Sequence, residues 1–194
     1  MDQDRMGRGM SWGRFAAMIA VSTLIMFVLM YQLVYRWDHA LFSLTRFLSS
    51  LVMACVMTAV MLGFMWKMYR PDAVKLAVLG VAIVGGAGLL AVNRGQVLVG
   101  DADYLKGMIP HHSIAINNSR KADLRDPRVR YLADRIIRDQ VKEIAEMKLL
   151  LADIDRHGRR GDRRLAPGPA TLTKEGANEA SALASGKLLR STPH

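Results

Sequence analysis

The chain has 194 residues, of which 51% are hydrophobic and 23% are charged, and its 27 basic and 17 acidic side chains give a net charge of +10. These averages are ordinary for a soluble domain, but apolar and charged residues are segregated along the chain, which argues against one soluble globule. The single cysteine, Cys55, argues against a disulfide-stapled secreted domain. The positive charge is not gathered on one folded unit, which weakens a nucleic-acid-binding interpretation.

Three long uncharged runs, residues 15–35, 47–66 and 76–92, occupy the first half of the chain. Runs of this length can cross a hydrocarbon core of about 30 Å, and the cost of unpaired backbone groups in lipid makes each of them a helix. The third run is rich in glycine and alanine, which favours close packing inside a three-helix bundle, and it can extend backward if Lys75 snorkels. We therefore predict a three-span transmembrane region over residues 15–92, in which the first span is an uncleaved signal anchor.

Basic residues near the ends of the spans predict the orientation. Six of them precede span one or lie between spans two and three, and three lie on the opposite side. The six are Arg5, Arg8, Arg14, Lys67, Arg70 and Lys75, and the three are Arg36, Arg46 and Arg94. The imbalance predicts a cytoplasmic N-terminus over residues 1–14, and a C-terminal part outside the cytoplasm. For a Gram-negative bacterium this means a multi-pass inner-membrane protein with a periplasmic domain.

Methionines recur every four residues along one face of the second span, at Met53, Met57, Met61 and Met65. Thioethers are soft ligands that suit Cu(I), but methionine is also a flexible apolar residue that fills gaps between packed helices. A stripe in a lipid-spanning helix has no evident access for an ion. The packing interpretation is therefore favoured, and Cys55 is expected to be a buried apolar residue.

Residues 101–157 predict an extramembrane, antiparallel helical hairpin. In the second helix Asp126 should be the N-cap, Pro127 the first helical residue and Gly158 the residue that ends it. Pro110 should bend the first helix or mark its first turn. The apolar face predicted for the first helix is Tyr104, Met108, His111, His112, Ala115, Ser119 and Ala122. The face predicted for the second is Val129, Ala133, Ile136, Gln140, Glu143, Ile144, Met147, Leu151 and Ile154.

Two helices with one apolar stripe each cannot enclose a core, and a unit of this size is marginally stable alone. The hairpin should therefore pair with a second copy into a four-helix bundle, or lie against another element. The expected partners are the lipid bilayer, a second copy of the chain and an envelope metal-handling protein, but not nucleic acid.

A thioether and imidazoles cluster in the first helix, because Met108 is three residues from His111 and four from His112. Mixed nitrogen and sulfur donors suit Cu(I), Cu(II) or Ag(I) better than Mg²⁺ or Ca²⁺. Folding about residues 124–125 should bring residues 137–141 opposite this cluster. Spacing alone leaves open an arrangement of surface histidines and core methionines.

At these residues the chain resembles the domain-of-unknown-function family numbered 305, over roughly residues 101–155. The residues that carry the resemblance are Asp103, Met108-Ile-Pro-His-His112, Ala115-Ile116, Asp126-Pro127, Val129, Leu132-Ala133, Ile136-Ile137, Gln140, Glu143-Ile144 and Met147. The resemblance implies a ferritin-like helical fold and a link to copper binding and tolerance, with copper held by Met108, His111, His112 and Met147. The order of spans and domain is similar to a membrane-bound subgroup. Many members have a methionine where this chain has Asn117-Asn118.

An enzyme is not expected, because di-iron sites of ferritin-like proteins use several inward-facing glutamates and Glu-x-x-His pairs. The hairpin has only Glu143 and Glu146 and no such pair. The tail, residues 158–194, is rich in glycine, alanine, serine, proline and charge and is expected to be disordered, and His194 receives no role. The sequence thus predicts an all-α, membrane-anchored, extracytoplasmic protein that binds or buffers copper. The alternative is a membrane-anchored helical interaction protein with structural histidines and no metal.

Overall fold

The computed structural model describes residues 11–187, and within that range the chain is all-helical with no strand. The six helices are α1 Trp12–Leu29, α2 Leu44–Phe64, α3 Asp72–Gly95, α4 Asp101–Lys121, α5 Pro127–His157 and α6 Lys174–Ala184. The predicted all-α fold class is therefore confirmed. Arg5 and Arg8, which entered the orientation argument, lie outside the described residues, as does His194 at the end of the tail.

The chain divides into two compact units whose boundaries the sequence did not predict. Within the described residues, the first contains residues 11–32 together with Leu41–Gly107, and the second contains Leu33–Ala40 together with residues 108–187. The second unit therefore begins within α4 instead of at Asp101. It also includes a short segment from the connection between α1 and α2.

Helices α1, α2 and α3 are long and apolar enough to cross a membrane, with mean hydropathies of 1.8, 2.2 and 2.1. Three candidate membrane-spanning helices were predicted, and three are found among the described residues. Helix α3 begins at Asp72, as the backward extension past Lys75 required. The ammonium of Lys75 turns back to donate to the Trp66 carbonyl at 3.0 Å and lies 2.6 Å from the Asp72 carboxylate.

Helix α1 ends at Leu29, six residues before the end of the uncharged run at Tyr35. The guanidinium of Arg46 donates to the Met30 carbonyl and lies 4.7 Å from the centre of the Tyr31 ring. A carbonyl left free at the end of a helix needs a donor, and Arg46 supplies it. The expectation that the first helix extends to Tyr35 is wrong, because a lack of charge does not mark where a helix ends.

Small residues allow α2 and α3 to approach closely, as the sequence predicted. A Cβ atom added at Gly86 would lie only 3.0 Å from the Cβ of Cys55. Farther along the two helices, the Asn93 amide donates to the Ser49 hydroxyl at 2.9 Å. A tight backbone contact and one polar contact therefore join α2 to α3.

The methionine stripe of α2 has its second half in a packed cluster. Phe15, Leu62 and Tyr69 form the buried centre, and Met61 and Met65 pack against it. Met53, at the other end of the stripe, is 36% exposed. Packing therefore accounts for Met61 and Met65, in agreement with the favoured interpretation.

Helix α5 begins and ends where the sequence predicted. The Asp126 carboxylate caps it by accepting from the Arg128 backbone N–H at 2.8 Å, and Pro127 is its first residue. The side chain of Arg128 lowers the pKa of Asp126 to about 2. Gly158 follows the last helical residue with φ of +74°, a conformation that favours glycine.

Helix α4 runs through Pro110 without a break, but its buried face is not the predicted one. The buried residues include Leu105, Ile109, Ser113 and Ile116, whereas Tyr104 is 56% exposed. Neighbouring helical residues point about 100° apart, so the predicted face was displaced by one residue. Within the second unit, the segment Leu33–Ala40 contacts this buried face at Ser113.

The expectation of a tail without regular structure is wrong over Lys174–Ala184, where α6 forms. Thr173 caps this helix by accepting from the Gly176 backbone N–H at 3.1 Å, and alanines fill much of its length. Alanine has the highest intrinsic helix propensity, and a threonine N-cap adds to it. The guanidinium of Arg128 also donates to the Ala184 carbonyl at 2.7 Å.

Candidate functional site

Two contacts define how α4 and α5 pair within the second unit. The guanidinium of Arg130 donates to the Ser119 carbonyl at 2.8 Å, and Nδ1 of His112 lies 2.9 Å from Oε2 of Glu143. Moving back along α4 from Ser119 to His112 corresponds to moving forward along α5 from Arg130 to Glu143. The contacts therefore have the order of an antiparallel pair.

The residue that meets His112 is Glu143, about six positions beyond the one expected from folding about residues 124–125. Side chains on a helix lean toward the N-terminus of their own helix. In an antiparallel pair, His112 therefore leans away from the turn and Glu143 leans toward it. The prediction counted backbone positions only and did not include this lean. The lean accounts for most of the offset between the expected residue and Glu143.

The four predicted metal donors have different surroundings. Met147 is buried at 8% exposure, Met108 is half-buried, and the side chain of His112 is 13% exposed. His111 is exposed, and its ring centre lies 5.8 Å from that of His112. The structure therefore brings His112 to the contact between α4 and α5, whereas His111 lies on the surface.

The two methionines occupy matching positions along the pair. Met108 precedes His112 by four residues on α4, and Met147 follows Glu143 by four residues on α5. Each is thus one turn from the His112–Glu143 contact, on the same face of its own helix and in the same direction along the antiparallel pair. The register therefore puts a thioether of each helix one turn beyond the imidazole.

Glu143 is itself held by a neighbour on its own helix, because the Gln140 amide donates to Oε2 at 2.9 Å. The Nδ1 atom of His112 is buried, and Oε2 of Glu143 lies 2.9 Å away without an aligned hydrogen bond between them. Burial lowers the pKa of His112, although the Glu143 carboxylate acts in the opposite direction. The net lowering of the His112 pKa favours the neutral ring.

Among the residues that the structure describes, no group of three or more histidine, cysteine, aspartate or glutamate side chains is arranged to hold a metal ion. Any ion at this position would therefore depend on thioethers as well as on His112. At the positions where the resemblance implied a methionine, Asn117 is buried and Asn118 is exposed.

A polar junction that the sequence did not predict joins Leu33–Ala40 to α4. The hydroxyl of Ser113 accepts from the Tyr35 backbone N–H at 2.8 Å and lies 3.0 Å from Nδ1 of His39. Ser113 is completely buried and His39 is 7% exposed. The only sequence signal for this junction was a polar residue inside the apolar row of α4, next to the histidine pair.

Charged side chains continue the junction to α5. Asp38 accepts from Lys148 at 2.8 Å and from Arg36 at 2.9 Å, and these hydrogen bonds hold its pKa well below the ordinary range. Burial lowers the pKa of His39, and the positive charge of Lys148 adds to this effect. Tyr35 also accepts a hydrogen bond from Arg120 through its hydroxyl.

A cavity of about 360 Å³ lies between this segment and the two helices. Four residues of α4 and α5 give it an apolar floor, and charged or aromatic side chains surround it. The floor is Ile116, Val141, Ile144 and Ala145, and the rim is Tyr35, Arg36, Asp38, His39 and Lys148. Arg36 and Lys148 both pair with Asp38, so two cations share one carboxylate beside the cavity.

An apolar cleft of about 830 Å³ lies in the first unit, lined mainly by α1 and α2. Its polar lining residues are Thr23, Ser50 and Thr58, and each hydroxyl donates to a carbonyl of its own helix at 2.7 or 2.8 Å. The cleft therefore presents an apolar surface and no free donor. It carries no chemistry of the kind found around His112.

Comparisons with known proteins point to the same part of the chain. Residues 91–185 match the family model described as "Domain of unknown function (DUF305)". A 60-residue segment is 48% identical to an uncharacterized protein of Acanthamoeba polyphaga mimivirus, and the match covers 30% of this chain and 40% of that relative. No solved structure matches the chain. The family match is longer than the predicted hairpin and includes α6.

Proposed function

Because residues 91–185 of this chain belong to the DUF305 family, we propose that the chain is a membrane-anchored protein that binds a soft metal ion. We propose that this ion is copper. The observation that carries the proposal is the meeting of α4 and α5 at His112, with Met108 and Met147 one turn away. An imidazole with two thioethers is a donor set that suits Cu(I).

The role of the bound ion is storage and buffering, which calls for no reacting substrate. Met108, His112 and Met147 would hold it, and His111 on the adjacent surface is a further donor. When bound, copper would supply Lewis acidity and redox capacity. The residues of this chain supply soft donors and a partly buried position.

Membrane anchoring has support from two regions. Three helices are apolar enough to span a bilayer. The segment Leu33–Ala40 contacts α4 and α5. In the sequence, α2 and α3 lie between this segment and α4. Two crossings return a chain to the side of the membrane from which it started. This contact is therefore compatible with α2 and α3 both crossing the membrane.

We propose that this side is extracytoplasmic and that the membrane is the inner membrane of a bacterium, from the distribution of basic residues. Alkaline phosphatase fused after Gly100 tests the orientation, because it is active only outside the cytoplasm. An active fusion is expected. An inactive fusion, with a matching fusion after Gly63 active, would reverse the topology.

A second copy is the expected partner. Asn117 and Asn118 leave the site without the thioether that many resembling proteins have, and α5 has large exposed apolar residues at Val141, Leu149 and Leu150. Sedimentation of the detergent-solubilised chain should therefore show a dimer. A Leu149→Lys variant should shift the chain toward monomer. A wild-type chain that sediments as a monomer would contradict the proposal.

Titration of the full chain in detergent with Cu(I), against a competing Cu(I) chelator, tests the function. Met108→Leu, His112→Ala and Met147→Leu should each weaken Cu(I) binding by at least about tenfold, the order expected on loss of a contribution to a metal site. Met57→Leu in the stripe of α2 and His157→Ala at the exposed end of α5 are matched controls and should leave the affinity unchanged.

Two outcomes would contradict metal binding by this site. One is a wild-type chain that does not compete with the chelator, and the other is wild-type affinity in all three variants. Either would favour the helical interaction protein, in which the His112–Glu143 contact is structural. Zn²⁺ and Ag(I) titrations under the same conditions identify the preferred ion, and Ag(I) should behave like Cu(I) because both are soft.

A further inference from the structure

The contact between His112 and Glu143 bears on which ring nitrogen of His112 is available to bind a metal. We infer that Glu143 is a positioning residue, which fixes His112 in the tautomer protonated at Nδ1 and leaves Nε2 as the nitrogen that binds the metal. The inference rests on the proposed metal-binding function and deepens it, because it adds a residue outside the predicted donor set.

The argument begins with the chemistry of the two atoms. A carboxylate can only accept hydrogen bonds, whereas each nitrogen of a neutral imidazole is either a donor or an acceptor. Nδ1 lies 2.9 Å from Oε2 and is buried. An unprotonated Nδ1 would therefore set its lone pair against an anionic oxygen with no water between them, and protonation replaces this repulsion by attraction.

The carboxylate is held in position from the other side. Gln140 donates its amide N–H to the same oxygen at 2.9 Å, from one turn earlier on α5. Oε2 therefore faces two N–H groups, that of the Gln140 amide, which makes an aligned hydrogen bond, and that of protonated Nδ1, which is attracted at 2.9 Å without one. Gln140 thus restrains Glu143, and Glu143 restrains the ring of His112.

This restraint changes the state that the ring would otherwise adopt. A neutral histidine side chain in water favours the proton on Nε2, which would occupy the outer nitrogen of His112. A carboxylate at Nδ1 reverses that preference, fixes the ring orientation and increases the basicity of the other nitrogen. A soft ion then meets a preformed nitrogen donor one turn from the two methionines.

Glu146 offers a matched control on the same helix. It is exposed, three residues beyond Glu143, and pairs with Lys142 at 3.6 Å. The side chain of Glu143 is itself 45% exposed, so its replacement leaves no cavity in a core. Far-ultraviolet circular dichroism checks that each variant keeps its helices.

The test is a long-range ¹H–¹⁵N correlation spectrum of the full chain, labelled with ¹⁵N-histidine, in detergent, without metal and at about pH 8, where an ordinary histidine is neutral. The spin system of His112 is assigned by its loss in His112→Ala. We expect the Nδ1–H pattern in the wild type and in Glu146→Leu. Glu143→Leu should change it to Nε2–H, and Glu143→Gln should retain Nδ1–H, because its amide oxygen still accepts.

Cu(I) affinity provides the second readout, with an expected loss of about 10- to 100-fold in Glu143→Leu and none in Glu146→Leu. An Nε2–H pattern for wild-type His112, or an unchanged tautomer in Glu143→Leu, would overturn the inference even if Cu(I) binds. A wild-type chain that shows Nδ1–H but binds no Cu(I) would overturn the proposed function, while the spectrum still supports the Glu143 contact.

Discussion

The two units of this protein are stabilised in different ways. In the first unit, α2 and α3 approach closely at Gly86, and a single amide–hydroxyl contact joins Asn93 to Ser49. In the second, Leu33–Ala40 is joined to α4 and α5 by the buried hydroxyl of Ser113 and by ion pairs of Asp38. Helices in lipid gain little from hiding apolar surface from one another, so close packing decides their association. In water, the buried polar contacts should matter most and the exposed ion pairs least.

Replacing Gly86 by a larger residue should destabilise the first unit. Of the changes considered, we expect this one to have the largest effect on the free energy of unfolding. In Gly86→Leu, the new Cβ would lie 3.0 Å from the Cβ of Cys55, closer than ordinary van der Waals contact, so α2 and α3 must give by a few tenths of an ångström and must also accommodate the rest of the side chain. Overpacking of this kind costs about 1–3 kcal/mol. Unfolding of the chain in mixed micelles, followed by circular dichroism, measures the loss.

Gly80→Leu is the control for this comparison, because a Cβ atom there would meet nothing within 4 Å. It should unfold like the wild type, since its side chain faces open space. Equal losses in the two variants would show that close approach to Cys55 does not explain the effect of Gly86→Leu.

Removing the hydroxyl of Ser113 should release the polar junction of the second unit and leave the first unit intact. Ser113→Ala deprives the Tyr35 backbone N–H and the His39 ring of their partner, at a cost of about 1–3 kcal/mol for buried groups. Hydrogen–deuterium exchange should therefore quicken at Tyr35. Ser119→Ala, where the backbone carbonyl makes the contact with Arg130, should leave the Tyr35 exchange rate unchanged.

Acid should weaken the same junction by a smaller amount. The pKa of His39 in the folded chain is lowered from 6.5, so the released segment binds more protons than the docked one. The contribution of neutral His39 is complete above pH 6.5 and is lost as the pH falls from there through the lowered pKa. The charged groups that face His39 are Asp38, Arg36 and Lys148. The pKa of Asp38 is lowered far below this range and the pKa of Arg36 is raised above its ordinary value, so both keep their charges.

Exchange at the Tyr35 amide, corrected for the intrinsic dependence on pH, should therefore quicken between about pH 7 and pH 5. His39→Phe should show weaker protection that varies little with pH. An equal pH dependence in this variant would assign the effect to another group, of which His112 is the first candidate because burial lowers its pKa as well.

The sequence predicted the features that depend on local chemistry. Asp126, Pro127 and Gly158 define the ends of α5 because a cap, a fixed φ and a positive φ act within a few residues. The three membrane-spanning candidates were likewise recognisable, because length and absence of charge are sufficient. The ferritin-like half-bundle and the pairing of two copies stay predictions.

The features that the sequence did not predict depend on partners distant in the chain. Arg46 donates to the carbonyl just after the end of α1, and a segment near Tyr35 contacts the buried face of α4. The pairing of His112 with Glu143 depends on the lean of side chains, which residue counting does not include. Helix α6 was missed because a composition typical of disorder is also rich in alanine.

The junction at Ser113 also has a consequence for the order of folding during synthesis. Tyr35 is separated from Ser113 by 78 residues and Asp38 from Lys148 by 110. Contacts of such separation form late, because the chain between them must first be made and placed. Leu33–Ala40 therefore stays without its partners until α2 and α3 have both been synthesised and α5 has emerged. If these two helices insert as proposed, a chain in which just one of them has crossed holds the two partners on opposite sides of the membrane and cannot close the junction.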